Sequence, residues 1–201
     1  MTATHSSDPV RTHAKAITRL SAVSRRDAMG AAERAAASHV ISQTIARDVF
    51  ASLPAGSIVT LYAAKGSEVA TSELDQAART QGLVVGYPRV MPGTRVLKFF
   101  AVEIAMLEPS QFGLREPTIT STELQLADIA VMVIPALAVD ATGARIGWGR
   151  GYYDSTLPLA THALRVAAVF DCQWVDEVPR APHDSNVNLI ITETRAHRID
   201  G

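Results

Sequence analysis

The sequence predicts an α/β protein: a single three-layer, open and largely parallel sheet flanked by helices, with a helical pair at the N-terminus. Three observations predict it. Residues Ile129 to Ile134 and Leu164 to Phe170 are near-continuous apolar runs, as expected of strands covered on both faces. Helical and extended patterns alternate along the chain, as crossovers between parallel strands require. A glycine-rich segment follows the first of these runs, beyond a strand end, where ligands of such sheets bind.

The elements follow in order. Residues 1–10 are polar at their start and read as a disordered tail, leaving 11–201 as one domain. From Arg11 to about Leu53 the chain is rich in alanine and arginine, and Val40, Ile41, Ile45 and Val49 recur at helical spacing, so two helices broken near Met29 and Gly30 are expected. Pro54 to Gly56 stops the second helix, and Ile58 to Tyr62 reads as a strand. Glu73 to Gln81 is a helix capped by Thr71 or Ser72 and closed by Gly82, followed by a short strand at Leu83 to Tyr87. Val96 to Val102 is extended, and the Glu-Pro pairs at 108–109 and 116–117 punctuate a loop region. Between the two apolar runs lies a helix of about one to three turns ending near Leu157 and Pro158. Asn188 to Ile191 is the last strand.

Composition narrows the function classes. A net charge of -1, with no block of like charges, gives no electrostatic footprint for nucleic acid. No apolar run approaches the roughly 20 residues that span a bilayer, and the start lacks the apolar core of a signal peptide. One cysteine, Cys172, excludes an intrachain disulfide, so a cytoplasmic location is expected, and a monomer with it. The six histidines have no ligand spacing, and no Gly-x-Ser-x-Gly elbow supplies a nucleophile.

Residues 143–154 carry the chemistry. Gly143, Gly147, Gly149 and Gly151, with Arg145, Arg150 and Asp154, put close backbone approach, positive charge and a carboxylate into one short stretch. Glycines at 147, 149 and 151 let the chain take positive φ and turn N–H groups toward one anion. Tyr152, Tyr153 and Asp154 begin a helix, and Asp154 is the oxygen ligand a hard cation prefers. The spacing is neither that of a P-loop nor that of a dinucleotide fingerprint, so the loop alone leaves the nucleotide class open.

Other groups read more plainly from the residues alone. Lys15 and Arg19, four apart, share a helix face that either closes on an anion or is merely solvated. Glu68, in a polar connection, either grips amide-like donors of a ligand or is an exposed loop glutamate, Asp184 is a turn-capping aspartate or a second metal carboxylate, and Asp140 with Gly143 forms a type I turn.

These residues together resemble the 5-formyltetrahydrofolate cyclo-ligase family. The resemblance rests on Ile134-Pro-Ala-Leu-Ala-Val-Asp140 followed by Gly143-x-Arg145-Ile-Gly-x-Gly-x-Gly-Tyr-Tyr-Asp154, and extends from Lys15 to about Ile191. It implies that Lys15 and Arg19 contact the phosphates of ATP, that Glu68 holds the folate pterin, and that Arg145, Ile146, Gly147, Trp148, Gly149, Arg150, Gly151, Tyr152 and Tyr153 form the nucleotide loop. Trp148 to Tyr152 would also face the folate, Arg145 and Arg150 would act in the transfer, and Asp154 and Asp184 would bind Mg2+. The segments around Pro88 to Val90, Leu97 to Phe99 and Phe112 to Pro117 are similar to middle segments of the family without secure roles. Ala70 and Asn188 stand where the family usually carries acidic residues, and Val139 replaces a common phenylalanine.

The implied reaction is ATP-dependent cyclisation of 5-formyltetrahydrofolate to 5,10-methenyltetrahydrofolate with release of ADP and phosphate. Its partners are those two small molecules, with no nucleic acid and no membrane. A relative that binds ATP and folate without cyclising is the alternative that Ala70 and Asn188 keep open. A sugar-phosphate enzyme on a similar scaffold would need a general base and no ATP.

Overall fold

The computed structural model describes residues 9–182 and 184–199. Helices α1 (Pro9–Ala28) and α2 (Ala31–Asp48) precede strand β1 (Ile58–Thr60), helix α3 (Ser72–Thr80) and strands β2 (Val84–Arg89) and β3 (Lys98–Ala101). Short strands β4 (Glu108–Pro109), β5 (Arg115–Glu116) and β6 (Thr122–Leu124) lead into β7 (Ile129–Ile134). A small hairpin, β8 (Ala138–Val139) and β9 (Arg145–Ile146), then precedes α4 (Tyr152–Thr156), β10 (Leu164–Ala168), β11 (Leu189–Ile191) and β12 (Ala196–Arg198).

The main sheet has eight strands in the order β12-β11-β10-β7-β1-β2-β3-β6. Its five central members, β11, β10, β7, β1 and β2, are parallel, as the unbroken apolar runs predict. The flanks are antiparallel: β12 on β11 at one side, β3 on β2 and β6 on β3 at the other. In β7, Val131 and Val133 face one core while Met132 and Ile134 face the other; Val166 and Ala168 against Ala167 and Val169 repeat the alternation from β10 onward. Ile41 and Ile45 of α2 and Leu74 and Ala78 of α3 cover the first face. The second is covered by α4 and the turn at Leu157 to Leu159, with Leu157 and Ala160 fully buried.

The helical pair forms with its break at Met29 and Gly30, where Gly30 N–H donates to Glu33 at 3.2 Å, a side-chain cap for α2. Helix α1 starts two residues before the expected tail ends. Pro9 lies in its first turn, where a missing N–H costs nothing; residues 1–8 of that tail lie outside the described residues. Thr71 stands at the start of α3 but does not cap it: its hydroxyl donates to the Tyr62 carbonyl at 2.7 Å and ties the helix entry back to the end of β1. No helix of the described residues is long and apolar enough to cross a membrane.

Two features bring α1 to the carboxyl ends of the parallel strands. Ala22 of α1 is buried against Leu137, Ala138, Ala144 and Ile146 of the β8–β9 hairpin. The hairpin is itself held by Asp140, whose carboxylate accepts from Thr142 N at 2.8 Å, Ala144 N at 3.3 Å and, across the chain, Val178 N at 2.8 Å. The expected turn is present, with Gly143 N donating to Asp140 O at 3.0 Å. Gly143 takes φ +79°, and a Cβ there would lie 2.7 Å from Val187 O and 2.8 Å from Ile199 Cγ1.

Because a backbone oxygen cannot rotate away, Gly143→Ala is expected to destabilise the protein by about 2–4 kcal/mol, combining left-handed strain with a clash. Gly93→Ala, at φ +77° with open space around it, is the control and should cost about 1–2 kcal/mol. Urea midpoints compare the two, and equal losses would mean that the close approach at Gly143 is relieved cheaply.

Candidate active site

The chain leaves β1 toward β2 on one side of the sheet and leaves β7 toward β10 on the other, so the strand order reverses between β1 and β7. At that reversal the loops beyond adjacent strands diverge and leave a crevice. A cavity of about 480 Å³ lies there, lined from β1's exit by Tyr62, Lys65 and Glu68, from β7's exit by Pro135, and by the whole span Arg145 to Asp154. Lys15 and Arg19 of α1 and Asp184 line it as well. Every residue singled out from the sequence as a site candidate thus lines one cavity.

Two ion pairs hold its floor. Arg145 Nη2 donates to Asp154 Oδ1 at 2.8 Å, with the arginine side chain only 3% exposed. Lys15 Nζ meets Asp184 Oδ2 at 2.5 Å, a contact between residues 169 apart in sequence. Ser185 N donates to Asp154 Oδ1 at 3.3 Å, so the turn carrying Asp184 rests against the other carboxylate. Arg145 Nε is buried and has no hydrogen-bond partner, a donor beside the loop with capacity for an acceptor.

The glycine loop is shaped from outside by α1. Arg19 Nε donates to Gly147 O at 2.9 Å, and a Cβ on Gly149 would come within 3.1 Å of the Arg19 guanidinium. Gly149 and Gly151 adopt φ +87° and +72°, whereas Gly147 keeps negative φ, so two of the three glycines use the freedom expected of all. Ile146 lines the cavity, but its side chain is packed under Ala22 and its carbonyl accepts from Leu137 N at 2.7 Å. What it offers a ligand is main chain.

The opposite wall is built around Glu68. Its Oε2 accepts from Lys65 N at 2.9 Å and its Oε1 from Trp148 Nε1 at 3.2 Å, joining the β1 exit to the glycine loop. Arg150 lies 3.5 Å from the centroid of the Phe112 ring, and Lys65 Nζ donates to the Phe112 carbonyl. Phe112 is the sole non-glycine residue with positive φ among the described residues, at 60°. Glu116, 4% exposed, accepts from Val90 N at 3.1 Å and from the Ser110 hydroxyl, clamping the Phe112 segment to the β2 exit.

Lys65, Phe112, Arg115 and Glu116 line the cavity without having been assigned from the sequence. Lys65 lies in the same polar connection as Glu68, and the segment of the other three stands out only through its likeness to a middle segment of the family, since isolated turn residues have no periodicity to read. Ala70 and Asn188 are not among the lining residues: Ala70 N donates to Ser38 Oγ at 3.1 Å, and Asn188 Oδ1 accepts from Arg165 N at 3.0 Å.

Among the described residues no group of three His, Cys, Asp or Glu side chains could enclose a metal. Two carboxylates on one wall, Asp154 and Asp184, suit a small hard cation that keeps waters and shares phosphate oxygens, and do not suit a dedicated all-protein cage. Around them the phenols are shielded. Burial raises Tyr153 and Glu68 adds to the rise, opposed by Arg145; burial likewise pushes Tyr62 well up. Tyr87, on the neighbouring strand, is raised by burial and by Asp75, which accepts its hydroxyl at 2.9 Å.

Comparison with known proteins agrees with this geometry. The sequence pattern described as the 5-formyltetrahydrofolate cyclo-ligase family matches residues 11–193. A 5-formyltetrahydrofolate cyclo-ligase of Mycolicibacterium smegmatis is 41% identical over 91 residues, covering 44% of this chain and 47% of that protein, so the chain spans about half the length of that curated relative. The fold is that of the 5,10-methenyltetrahydrofolate synthetases of Aquifex aeolicus (TM-score 0.77, 24% identity, covering 93% of this chain and 94% of that one) and Mycoplasma pneumoniae (TM-score 0.73, 20% identity, 89% and 98%).

The phenols generate a pH prediction. Their folded pKa values lie above the unfolded value near 10, so the stability they contribute is complete below pH ~10 and is lost as pH rises beyond it. Tyr62, Tyr87 and Tyr153 should therefore ionise together with unfolding, as a tyrosinate absorbance step coincident with loss of near-ultraviolet circular dichroism. Gradual ionisation of all of them in an intact fold would contradict their burial.

Proposed function

This chain belongs to the 5-formyltetrahydrofolate cyclo-ligase family, and we propose that it closes 5-formyltetrahydrofolate to 5,10-methenyltetrahydrofolate at the expense of ATP. The observation that carries the reading is the convergence of Lys15, Arg19, Glu68, the 145–154 loop and Asp184, from separate stretches of sequence, on one cavity.

The chemistry follows from what has to leave. A formamide oxygen is a poor leaving group, and the neighbouring secondary amine cannot displace it directly. Transfer of the γ-phosphoryl forms a bond from phosphorus to the formyl oxygen and breaks the bond to the β-phosphate oxygen, releasing ADP. The amine then attacks the formyl carbon of the iminophosphate and gives up its proton, and the carbon–oxygen bond breaks to release phosphate. No protein nucleophile enters either step, in keeping with a cavity wall of cations, carboxylates, phenols and main-chain donors.

In this reading Lys15, Arg19, Arg145 and Arg150 balance the phosphate charge, with the free Arg145 Nε the best-placed unused donor. Loop N–H groups from Ile146 to Gly151 meet phosphate oxygens, and Arg19 keeps the loop in register through Gly147. Glu68 accepts from the pterin's amide and amine donors, with Trp148 and Tyr152 against the ring system. Asp154 and Asp184 would hold Mg2+, which would supply charge neutralisation to the polyphosphate. Lys15 and Arg145 then direct their charge to the nucleotide.

Asp154 is also the counter-charge of a buried guanidinium, so Asp154→Ala would disturb the fold as well as the metal site. Asp154→Asn keeps an acceptor for Arg145 and removes the carboxylate. It is expected to preserve the circular dichroism spectrum and to lower turnover by about 100-fold or more, read as growth of the near-ultraviolet band of the methenyl product. Near-normal turnover at limiting magnesium would remove Asp154 from the metal site; folate and ATP binding without any product in the unaltered protein would favour a non-cyclising relative.

Lys15→Ala separates the two substrate sides. It should raise the KM for ATP about tenfold while changing the KM for the folate less than about twofold, the pattern of a lost phosphate contact. The opposite split would place α1 on the folate.

A further inference from the structure

The cationic stripe of α1 does not end at Arg19. Arg26 lies two turns further along the same helix face and is 3% exposed, as buried as a side chain of the core. Burying a guanidinium is costly unless its donors are used and its charge is compensated. The other buried charged groups have evident anchors: Asp75 with Arg79, Glu116 with Val90 N and the Ser110 hydroxyl, Asp140 with main-chain N–H groups, Arg145 with Asp154. Arg26 is held differently. Its Nε donates to Ser67 Oγ at 2.9 Å, Ser67 Oγ in turn donates to Asp27, and its guanidinium carbon lies 5.8 Å from the centre of the Trp148 indole.

Those contacts fall on the two parts of the wall that meet at Glu68. Ser67 is the residue before Glu68, in the turn closed by the bond from Glu68 N to Lys65 O at 3.3 Å. Trp148 is the glycine-loop residue that donates to Glu68 at 3.2 Å. A single side chain from α1 therefore pins the β1 exit through a hydrogen bond and the glycine loop through its charge over an aromatic face. Arg25, its neighbour in sequence, faces elsewhere and donates to Cys172 O at 2.8 Å.

We propose that Arg26 is the positioning residue of the folate-side wall, fixing Glu68 and Trp148 relative to one another so that the ring-reading carboxylate is held in place before substrate arrives. This rests on the reading that Glu68 and the loop receive the folate. Arg26 touches neither ATP nor the reacting atoms in that reading. Its loss acts on folate affinity, not on phosphoryl transfer.

The test uses the full chain in a Trp174→Phe background, which leaves Trp148 as the only tryptophan of the two in the sequence. Arg26→Met keeps much of the side-chain length and removes the donor and the charge. It is expected to raise the KM for 5-formyltetrahydrofolate about tenfold with kcat and the KM for ATP within about twofold, and to make Trp148 fluorescence more readily quenched by acrylamide. Arg26→Lys, which keeps the charge over the indole, should restore most of the quenching protection and part of the KM. Ser67→Ala, a milder change that any loss of folding in Arg26→Met leaves available, should raise the folate KM by a smaller factor in the same direction. Unchanged folate KM in both Arg26→Met and Ser67→Ala, or equal rises in both substrates' KM values with a lowered melting temperature, would overturn the proposal and leave Arg26 a structural residue. If the unaltered protein shows no folate-dependent turnover, the proposed function falls, and the quenching comparison alone decides whether Arg26 holds Trp148.

Discussion

A guanidinium that is 3% exposed requires a counter-charge, and the pairing of Arg145 with Asp154 is the constraint on which the rest of the site depends. Arg145 opens the last strand of the small hairpin and Asp154 lies in the first turn of α4, so the pair closes the glycine-rich span at its base. What would be a floppy run of small residues becomes a loop with both ends fixed. Each end is in turn anchored to something rigid: the hairpin to Val178 through Asp140, and α4 to β3's approach through the Thr156 hydroxyl, which accepts from Leu97 N at 2.9 Å. The loop's geometry is thus imposed by its surroundings, with Arg19 completing the frame from α1.

The charge of the cavity is a local matter. The chain as a whole is nearly neutral, at -1, yet six cationic side chains, Lys15, Arg19, Lys65, Arg115, Arg145 and Arg150, gather in one cavity with four carboxylates. Such an arrangement concentrates charge of both signs in a confined space that the net charge of the chain does not reveal. Interleaving acid and base also holds each long side chain in one place, because the Lys15–Asp184 and Arg145–Asp154 contacts restrict rotamers that would otherwise wander.

The parallel centre of the sheet was legible because burial on both faces forces continuous apolar sequence, which β7 and β10 display. Of the antiparallel flanks only β3 was, inside the extended stretch Val96 to Val102. β6 reads Thr-Glu-Leu and β12 Ala-His-Arg, three residues each with mostly exposed side chains, so neither carries a hydrophobic period to detect. Thr71 misled as a cap because its hydroxyl had a better-placed carbonyl at Tyr62, a tertiary contact invisible to local sequence. In the site, the glycine loop and its charges were legible from residue type and spacing, while Lys15, Arg19, Glu68 and Asp184 were favoured over their ordinary structural readings only through the family resemblance. The structure supplies the reason that spacing failed for them: Lys15 meets Asp184, and Glu68 meets Trp148, over separations of 169 and 80 residues. The Phe112 segment was illegible for another reason, since a left-handed phenylalanine defies the rule that such turns carry glycine or asparagine.

The bond from Trp148 to Glu68 makes two walls of the cavity share one oxygen. A ligand group that displaces the indole from Glu68 Oε1 releases one attachment of the glycine loop. Conversely, whatever draws Trp148 away frees that oxygen. Thermodynamic linkage then makes the two events reciprocal: the factor by which one ligand changes the affinity of the other is the same read in either direction. Two ligands that each disturbed this bond would thereby be coupled, with the order of arrival altering the path taken and leaving the final balance unchanged.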